Sequence, residues 1–562
     1  MPTLLEPPFN ATPSPLTADD SAPEIIAAPR PSEEPARMRG GVSAVQTVMI
    51  AGFCLLFLYH NYLPLFHSDL WGHVSYGEWI WQHRQLPVED PFTPLAEGVP
   101  LVATAWLSQV IFALAAKTGD METIAHVFAG TVLVTHLLLL RSFIKRGATL
   151  PVAMAGVVLA FLIGWSRHAV QRPEVFGACC YAALLWLLSD RGTSTVRSRW
   201  STVAVLPLFA AWSNLHGSFI MGFVVLGCVW FGDVIDQTLQ RGWRGLVDSH
   251  TVLHRDLIRL ELAVAGSLLN PYGMDLLVYS LAFPGHPNLR TVLEWFPLEM
   301  SSLEGIPMAA SWVLTAVVLR LSRRRMSGVE VLLLLVFNSA VCARVRMIAW
   351  YAPVVMWTLA PHIEDIVQRW FANRSDWCQR VTSRLTALSP RWAAVSVLLV
   401  WTTFALSPVS RPILGGKPRP PQQVFSHDTP LGVTTYLQQH PPAGMVAAPQ
   451  WWGDWLTRHS GARWHVMATT NAIHLLPAQV WKDCLAISTA DGGLERRLDR
   501  YRINTVIVGK VLQPELEHAI ARIPGWRIVF EDEVGLVAVR HSRKSGTPRP
   551  EVASGAIRGD HR

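Results

Sequence analysis

Every second loop between the long apolar runs of this chain is basic, and that alternation limits the fold more than any single motif does. A helix that spans a bilayer needs about 20 mostly apolar residues, within a range of about 17–25. Such runs begin near Val45, Glu122, Leu150, Pro173, Trp200, Gly217, Leu257, Glu304, Gly328, Met347 and Trp392, about eleven spans when short or tilted ones are included. Arg37 and Arg39 precede the first run, and Arg141, Lys145 and Arg146 follow the second. Further along come Arg191, Arg197 and Arg199, then Arg241, Arg244 and Arg255, then Arg320 and Arg323 to Arg325, and last Arg369, Arg374, Arg380, Arg384 and Arg391. Cytoplasmic loops carry an excess of Lys and Arg. The pattern therefore predicts an α-helical polytopic membrane protein of fixed orientation.

Composition agrees. Of 562 residues, 50% are hydrophobic and only 16% are charged, against about 25% charged in soluble domains. The net charge of +7 is scattered between apolar runs, which speaks for loop bias and against a nucleic-acid partner. The seven cysteines show neither metal-ligand spacing nor a disulfide framework.

Residues 1–42, rich in Pro, Ser, Ala and Glu, read as a disordered cytoplasmic tail before an uncleaved first span. Residues 43–410 form the transmembrane part, with a long first outer loop at 66–121. Residues 411–428 are a linker stiffened by Pro418, Pro420 and Pro421. Residues 429–541 are expected to be an α/β domain outside the cytoplasm, and 542–562 a second disordered tail. In that domain Gly444–Ala448, Trp464–Ala468, Thr505–Gly509, Trp526–Phe530 and Gly535–Arg540 read as strands. Leu431–Gln439, Leu494–Tyr501 and Pro514–Arg522 read as helices. Within the first outer loop, Leu70–Arg84 is expected as an interfacial helix. Trp106–Lys117 is apolar but too short to span, and is expected as a surface or re-entrant helix.

The distinctive polar motifs gather on the outer face. His67-Ser68-Asp69-Leu70-Trp71-Gly72-His73 begins where the first apolar run ends, and Glu89-Asp90 follows in the same loop. Ionisable groups kept beside lipid are functional candidates by default. Asp69 and Asp90, or Glu89, are candidate catalytic carboxylates, one of them a general base on an acceptor hydroxyl. His67, Asp69 and His73 are alternatively a candidate divalent-metal set, since imidazole and carboxylate are ordinary ligands; which metal, if any, the sequence leaves unknown. Arg167, His168 and Arg172, together with Arg344 and Arg346, supply cations suited to a phosphate headgroup, with Glu174 beside them as part of an organised polar site and His73 as a further binding candidate. His216 in Asn-Leu-His-Gly and Asn270 in Asn-Pro-Tyr-Gly are candidate binding residues or plain helix caps.

The stretches Asp69-Leu-Trp-Gly-His, Gly77-Glu-Trp-Ile, Pro87-Val-Glu-Asp-Pro-Phe-Thr and Trp106-Leu-Ser-Gln resemble the first outer loop of bacterial multi-span glycosyltransferases of the GT-C type, the superfamily of dolichyl-phosphate-mannose-dependent mannosyltransferases. Arg172-Pro-Glu, Asn214-Leu-His-Gly, Asn270-Pro-Tyr-Gly and Glu294-Trp resemble further segments of that group. The resemblance implies a GT-C-like fold in the bacterial inner membrane, a polyprenyl-phosphate-linked sugar as donor, and a saccharide, lipid or protein acceptor. It maps a catalytic or metal-binding acid onto Asp69 and a second acid onto Asp90 or Glu89. In the C-terminal domain the group carries a Gly-Arg-type segment where this chain has Ala468-Thr469-Thr470-Asn471. Two rival classes share these features: a transporter or flippase for lipid-linked saccharides, and a non-enzymatic assembly factor.

Overall fold

The computed structural model describes residues 41–190, 195–248, 250–372, 380 and 383–541. Both expected tails, apart from residues 41 and 42, lie outside the described residues, as do Arg37, Arg39, Arg191 and Arg374 of the basic loops.

The chain is mainly helical. The helices are α1 (Ala44–Tyr62), α2 (Leu70–His83), α3 (Trp106–Thr118), α4 (Glu122–Lys145), α5 (Leu150–Ile163), α6 (Glu174–Leu188), α7 (Thr195–Val203) and α8 (Val205–Leu215). They continue with α9 (Phe219–Asp248), α10 (His250–Ser267), α11 (Met274–Ala282), α12 (Gly305–Leu321), α13 (Gly328–Ala343) and α14 (Ile348–Ala372), followed by the Pro390–Leu406 helix. Most expected starts are met within two residues. The Trp200 run instead breaks into α7 and α8, and Leu257 falls inside α10. Capping boxes explain two starts: Ser43 pairs with Gln46 at α1, and Ser327 with Glu330 at α13.

Among the described residues, 3 helices are long and apolar enough to cross a membrane, namely Ala44–Tyr62, Glu122–Lys145 and Phe219–Gly242. The bent pair Pro390–Leu406 and Pro408–Leu414 would make a fourth. Helices α5, α6, α12 and α13 are apolar but shorter, because polar turns cut them off: α5 stops at Gly164 before the Ser-Arg-His turn, and α6 starts after Pro173.

A first core joins α4, α5, α6, α8, α9, α13 and α14 around Phe143, Tyr181, Trp212, Tyr351 and Trp357. A second core joins Leu70, Trp71 and Val74 of α2 to Phe112 of α3, Phe128 of α4 and Trp452, Trp455 and Leu456 of the Gln450–Ser460 helix. So α2 forms where the sequence suggested a helix, and both of its faces are covered by protein. It is sandwiched between α3 and the C-terminal part, and that is why Leu70, Trp71, Gly72, Val74 and Gly77 are all buried. A Cβ at Gly77 would fall 2.0 Å from the Gln109 carbonyl oxygen, so the bare glycine sets how closely α2 and α3 approach.

The C-terminal part carries a five-stranded sheet in the order β2-β1-β3-β5-β4, with β1 Met445–Ala447, β2 His465–Val466, β3 Thr505–Gly509, β4 Trp526–Glu531 and β5 Gly535–Arg540. β1 is parallel to β2 and β3, whereas β5 is antiparallel to β3 and β4. Strands and helices lie where alternation placed them, and two further helices, Gln450–Ser460 and Ala478–Ser488, complete the unit. Residues 424–426 tie it to the end of α1: Leu65 N donates to the Val424 carbonyl at 2.8 Å, and Ser426 N to the Leu65 carbonyl at 3.0 Å. The first long loop and the sheet unit therefore share one end of the helix bundle.

Trp455 anchors this junction. It meets Trp71 edge-on at 5.0 Å and Phe425 at 5.1 Å, and its Nε1 donates to Thr434 Oγ1 at 2.8 Å. Trp455→Ala is expected to cost about 3–5 kcal/mol, read as a clear fall in the Tm of purified protein. An unchanged Tm would mean that the junction carries little of the stability.

Candidate active site

Four segments bring their charges together. Asp69 opens α2, yet its side chain makes no capping bond, so the carboxylate is free to turn away from its own helix. Oδ1 accepts from Arg172 Nε at 3.0 Å. Arg172 also donates from Nη1 to Glu294 Oε1. Arg167 bridges Glu294 at 3.1 Å and Glu174 at 2.9 Å. Arg346 lies 3.7 Å from Glu174. Three guanidiniums thus face three carboxylates, all half-buried, contributed by segments far apart in the chain. Removing one partner from such a buried pair costs about 3–5 kcal/mol, because the other charge is left uncompensated.

A cavity of about 700 Å³ opens on this network. Asp69, His73, Arg172, Glu174, Glu294 and Arg346 line it. Aromatic side chains also line it, among them Tyr279, Phe283, Trp295 and Trp481. A second cavity of about 490 Å³ lies behind the network, walled by Phe128, Val132, Val175 and Phe296 and touched by His136 and His168. Arg172, Glu174 and Glu294 line both. The ion pairs therefore form a charged partition between two cavities, each lined by both polar and apolar side chains.

The charges in the partition are fixed by their neighbours. Burial disfavours charge on Arg172 and Arg167, but the carboxylates around them outweigh it and hold both above the usual arginine value. Burial would raise Glu294, yet Arg172, Arg167 and Arg346 keep it well below the usual carboxylate range. Arg346 differs. Burial lowers it, and Glu174 and Glu294 do not make up the loss. It donates none of the described hydrogen bonds, and it packs its guanidinium over Trp295 at 4.5 Å. Asp69 Oδ2 is likewise unused by any described hydrogen bond. The network thus presents one open carboxylate oxygen and one under-paired cation to the same cavity.

Other expected residues fall in different places. His73 lines the cavity; its Nδ1 meets Gln109 Nε2 at 3.1 Å, and burial drives it down to about 4. His216 also lines the cavity, while its Nδ1 accepts from Ser218 N at 3.1 Å, so it is both a turn residue and a wall residue. His168 faces the second cavity, stacked on Phe161 at 5.4 Å. Arg344 sits over Trp295 at 5.0 Å and does not line the cavity. Asn270 is occupied by its own turn, accepting from Tyr272 N at 2.7 Å and donating to the carbonyls of Ser267 and Gly273.

The two later acids are not brought beside Asp69. Asp90 accepts from Tyr76 Oη at 2.7 Å and from Phe92 N at 3.0 Å, a local turn that captures the carboxylate. Its contact with the cavity runs through Tyr76, which lines it. Glu89 accepts from Gly98 N at 3.0 Å on the surface.

The donor set does not suit a metal ion. His67 Nδ1 turns to Ser426 Oγ at 3.3 Å, His73 to Gln109, and Asp69 to Arg172. Among the described residues no three His, Cys, Asp or Glu side chains are arranged to hold one. The trio His67, Asp69 and His73 is therefore not assembled as a ligand set, because each member is drawn to a different partner.

Three residues were missed as site members. Glu294, the hub of the network, sits in an outer segment of short turns that shows no periodicity. Asn471 donates from Nδ2 to the Asp69 carbonyl at 2.8 Å and to Asp454 Oδ1 at 3.1 Å. Asp454 in turn accepts from the backbone amides of Thr470 and Asn471. Burial pushes the Asp454 carboxyl up to about 8, against the Asn471 hydrogen bond and helped by the Asp69 charge. In the unfolded chain this group loses its proton near 3.8. Between those values unfolding releases a proton, so its contribution to stability is full at low pH and is lost as pH rises to about 8. Wild type is expected to lose Tm across that window more steeply than Asp454→Asn. Parallel curves would contradict the burial argument.

No family model matches the sequence, and no curated protein does. Among solved structures, the chain is similar to the archaeal oligosaccharyltransferase AglB from Archaeoglobus fulgidus, in complex with an inhibitory peptide and a dolichol-phosphate. That match has a TM-score of 0.53 at 12% identity and covers 85% of this chain and 72% of that one. The chain is also similar to ArnT from Cupriavidus metallidurans in the apo state, with a TM-score of 0.50 at 12% identity, over 90% of this chain and 99% of that one. At such identity the likeness is one of fold. The chain shares its overall fold with these two proteins, and with its long apolar helices it is an integral membrane protein.

Proposed function

We propose that this protein is an integral-membrane glycosyltransferase that moves a sugar from a polyprenyl-phosphate donor to a hydroxyl of an envelope acceptor. The observation that carries this reading is the pairing of an open Asp69 oxygen with an under-paired Arg346 on one cavity, at one end of the helix bundle. The dolichol-phosphate named in the AglB complex supports the donor class. The wall of Phe128, Val132, Val175 and Phe296 in the 490 Å³ cavity would take the first isoprene units, with the phosphate at the charged partition and the sugar reaching into the 700 Å³ cavity. Asp69 removes the proton of the acceptor hydroxyl as that oxygen bonds to the anomeric carbon. The bond from that carbon to the phosphate oxygen breaks, and Arg346 meets the charge that develops on the leaving polyprenyl phosphate. The aromatic side chains of that cavity would hold the acceptor, whether saccharide, lipid or protein.

In this reading about eleven spans place the first loop and residues 429–541 outside the cytoplasm of a bacterial inner membrane. Native mass spectrometry tests the donor assignment. Purified protein supplemented with a polyprenyl phosphate should retain one molecule through the gas phase, and Arg346→Ala should lose it. Equal retention by wild type and variant, or none by either, would contradict the phosphate site.

A further inference from the structure

Asp69 is oriented from outside its own helix. Its carbonyl oxygen already accepts from His73 N at 3.0 Å, the first turn of α2, and takes a second hydrogen bond from Asn471 Nδ2 at 2.8 Å. The other Nδ2 hydrogen of Asn471 goes to Asp454 Oδ1 at 3.1 Å. Both donors of that amide are therefore committed, one to the candidate base and one to the residue that anchors the loop. Asp454 Oδ2 clamps the same loop through Thr470 N at 2.9 Å and Asn471 N at 3.2 Å.

The fit is close. A Cβ at residue 72 would lie 2.1 Å from Asp454 Oδ1 and 2.2 Å from Asn471 Nδ2, so only glycine lets α2 sit against this pair. One at residue 453 would lie 2.2 Å from the Ala468 carbonyl oxygen, so a second glycine brings the Gln450–Ser460 helix onto the 468–471 loop. Two further contacts hold the helices in register: Trp71 against Trp455, and the double hydrogen bond of Arg458 to Glu78 at 2.9 and 2.8 Å.

We propose that Asn471, held by Asp454, is a positioning residue for Asp69, so that the C-terminal part completes the active site at the first residue of α2. The proposal rests on the reading of Asp69 as the general base. Misplacing a reacting group by about 1 Å can cost on the order of a hundredfold in rate, and the Asn471 bond fixes the peptide from which the Asp69 side chain projects. Arg346 touches neither residue, so donor binding is left alone.

The test is steady-state transfer of label from a radiolabelled polyprenyl-phosphate sugar by the full chain in liposomes. Asn471→Asp keeps the size of the side chain but removes the amide donor and sets a carboxylate oxygen against the Asp69 carbonyl. Asn471→Ala removes the group. Both are expected to lower kcat about ten- to a hundredfold, with donor KM within about twofold and Tm close to wild type. Gly72→Ala acts through the same seam, so the Gly72→Ala/Asn471→Asp pair should fall no further than the worse single variant. Wild-type kcat in Asn471→Asp, with Asp69→Asn inactive, would overturn the positioning role and leave the base intact. Full activity of Asp69→Asn would overturn the base reading itself. Loss of folded protein in both Asn471 variants would also overturn the proposal, since the residue would then be structural.

Discussion

Asp69→Asn lowers transfer by about a hundred- to ten-thousandfold, the range expected when a general base is removed. The variant is nearly isosteric, and its amide oxygen still accepts from Arg172 Nε, so the ion-pair partition should survive. The loss therefore appears in kcat, with donor KM and Tm near wild type. Oδ1 of Asp69 is held by Arg172 at 3.0 Å, which leaves Oδ2 as the oxygen for the proposed proton transfer. A well-folded Asp69→Asn protein with full activity would remove Asp69 from the chemistry.

Arg346→Ala is the second large effect. Losing a preorganised cation at a developing charge costs about a hundred- to a thousandfold in kcat. Because the same guanidinium meets the ground-state phosphate, donor KM rises as well. Arg346 is a better probe than Arg172 or Arg167 for a physical reason. Those two are locked into pairs at 3.0 Å and 3.1 Å or closer, so truncating them would disturb the fold together with the chemistry. Arg346 has its nearest carboxylate at 3.7 Å and none of the described hydrogen bonds. Arg346→Lys should recover part of the loss, since a point charge remains without the planar fork. Kinetics for Arg346→Ala matching wild type would move the phosphate elsewhere.

The parts of this molecule that could be read in sequence are those governed by local pattern. Apolar runs gave the helix starts from Ala44 to Pro390, and alternation gave the strands at Thr505–Gly509 and Gly535–Arg540. Asp69, Arg172, Glu174 and Arg346 stood out because they are charges placed at the ends of apolar segments. What escaped depends on contacts between distant residues. Glu294 pairs with arginines 122 and 127 positions away, and Asn471 reaches Asp69 across 402. Gly453 and Asp454 interrupt the apolar pattern and hid the Gln450–Ser460 helix. That helix docks on α2 and also brings Asp454 to the site. Asp90 was grouped with Asp69 because one loop holds both, yet Tyr76 and the turn at Phe92 were closer partners.

Chemical transfer from a prenyl-phosphate donor at Asp69 can be observed directly. The direct measurement is single-turnover reaction of purified protein in sealed liposomes with no ion gradient, using a panel of radiolabelled polyprenyl-phosphate sugars and an envelope extract as acceptor source. The account predicts that label leaves one donor for an acceptor, that polyprenyl phosphate appears in equal amount, and that Asp69→Asn abolishes both. Movement of intact donor across the bilayer without cleavage, equal in wild type and Asp69→Asn, would contradict it and make the protein a carrier of lipid-linked sugars.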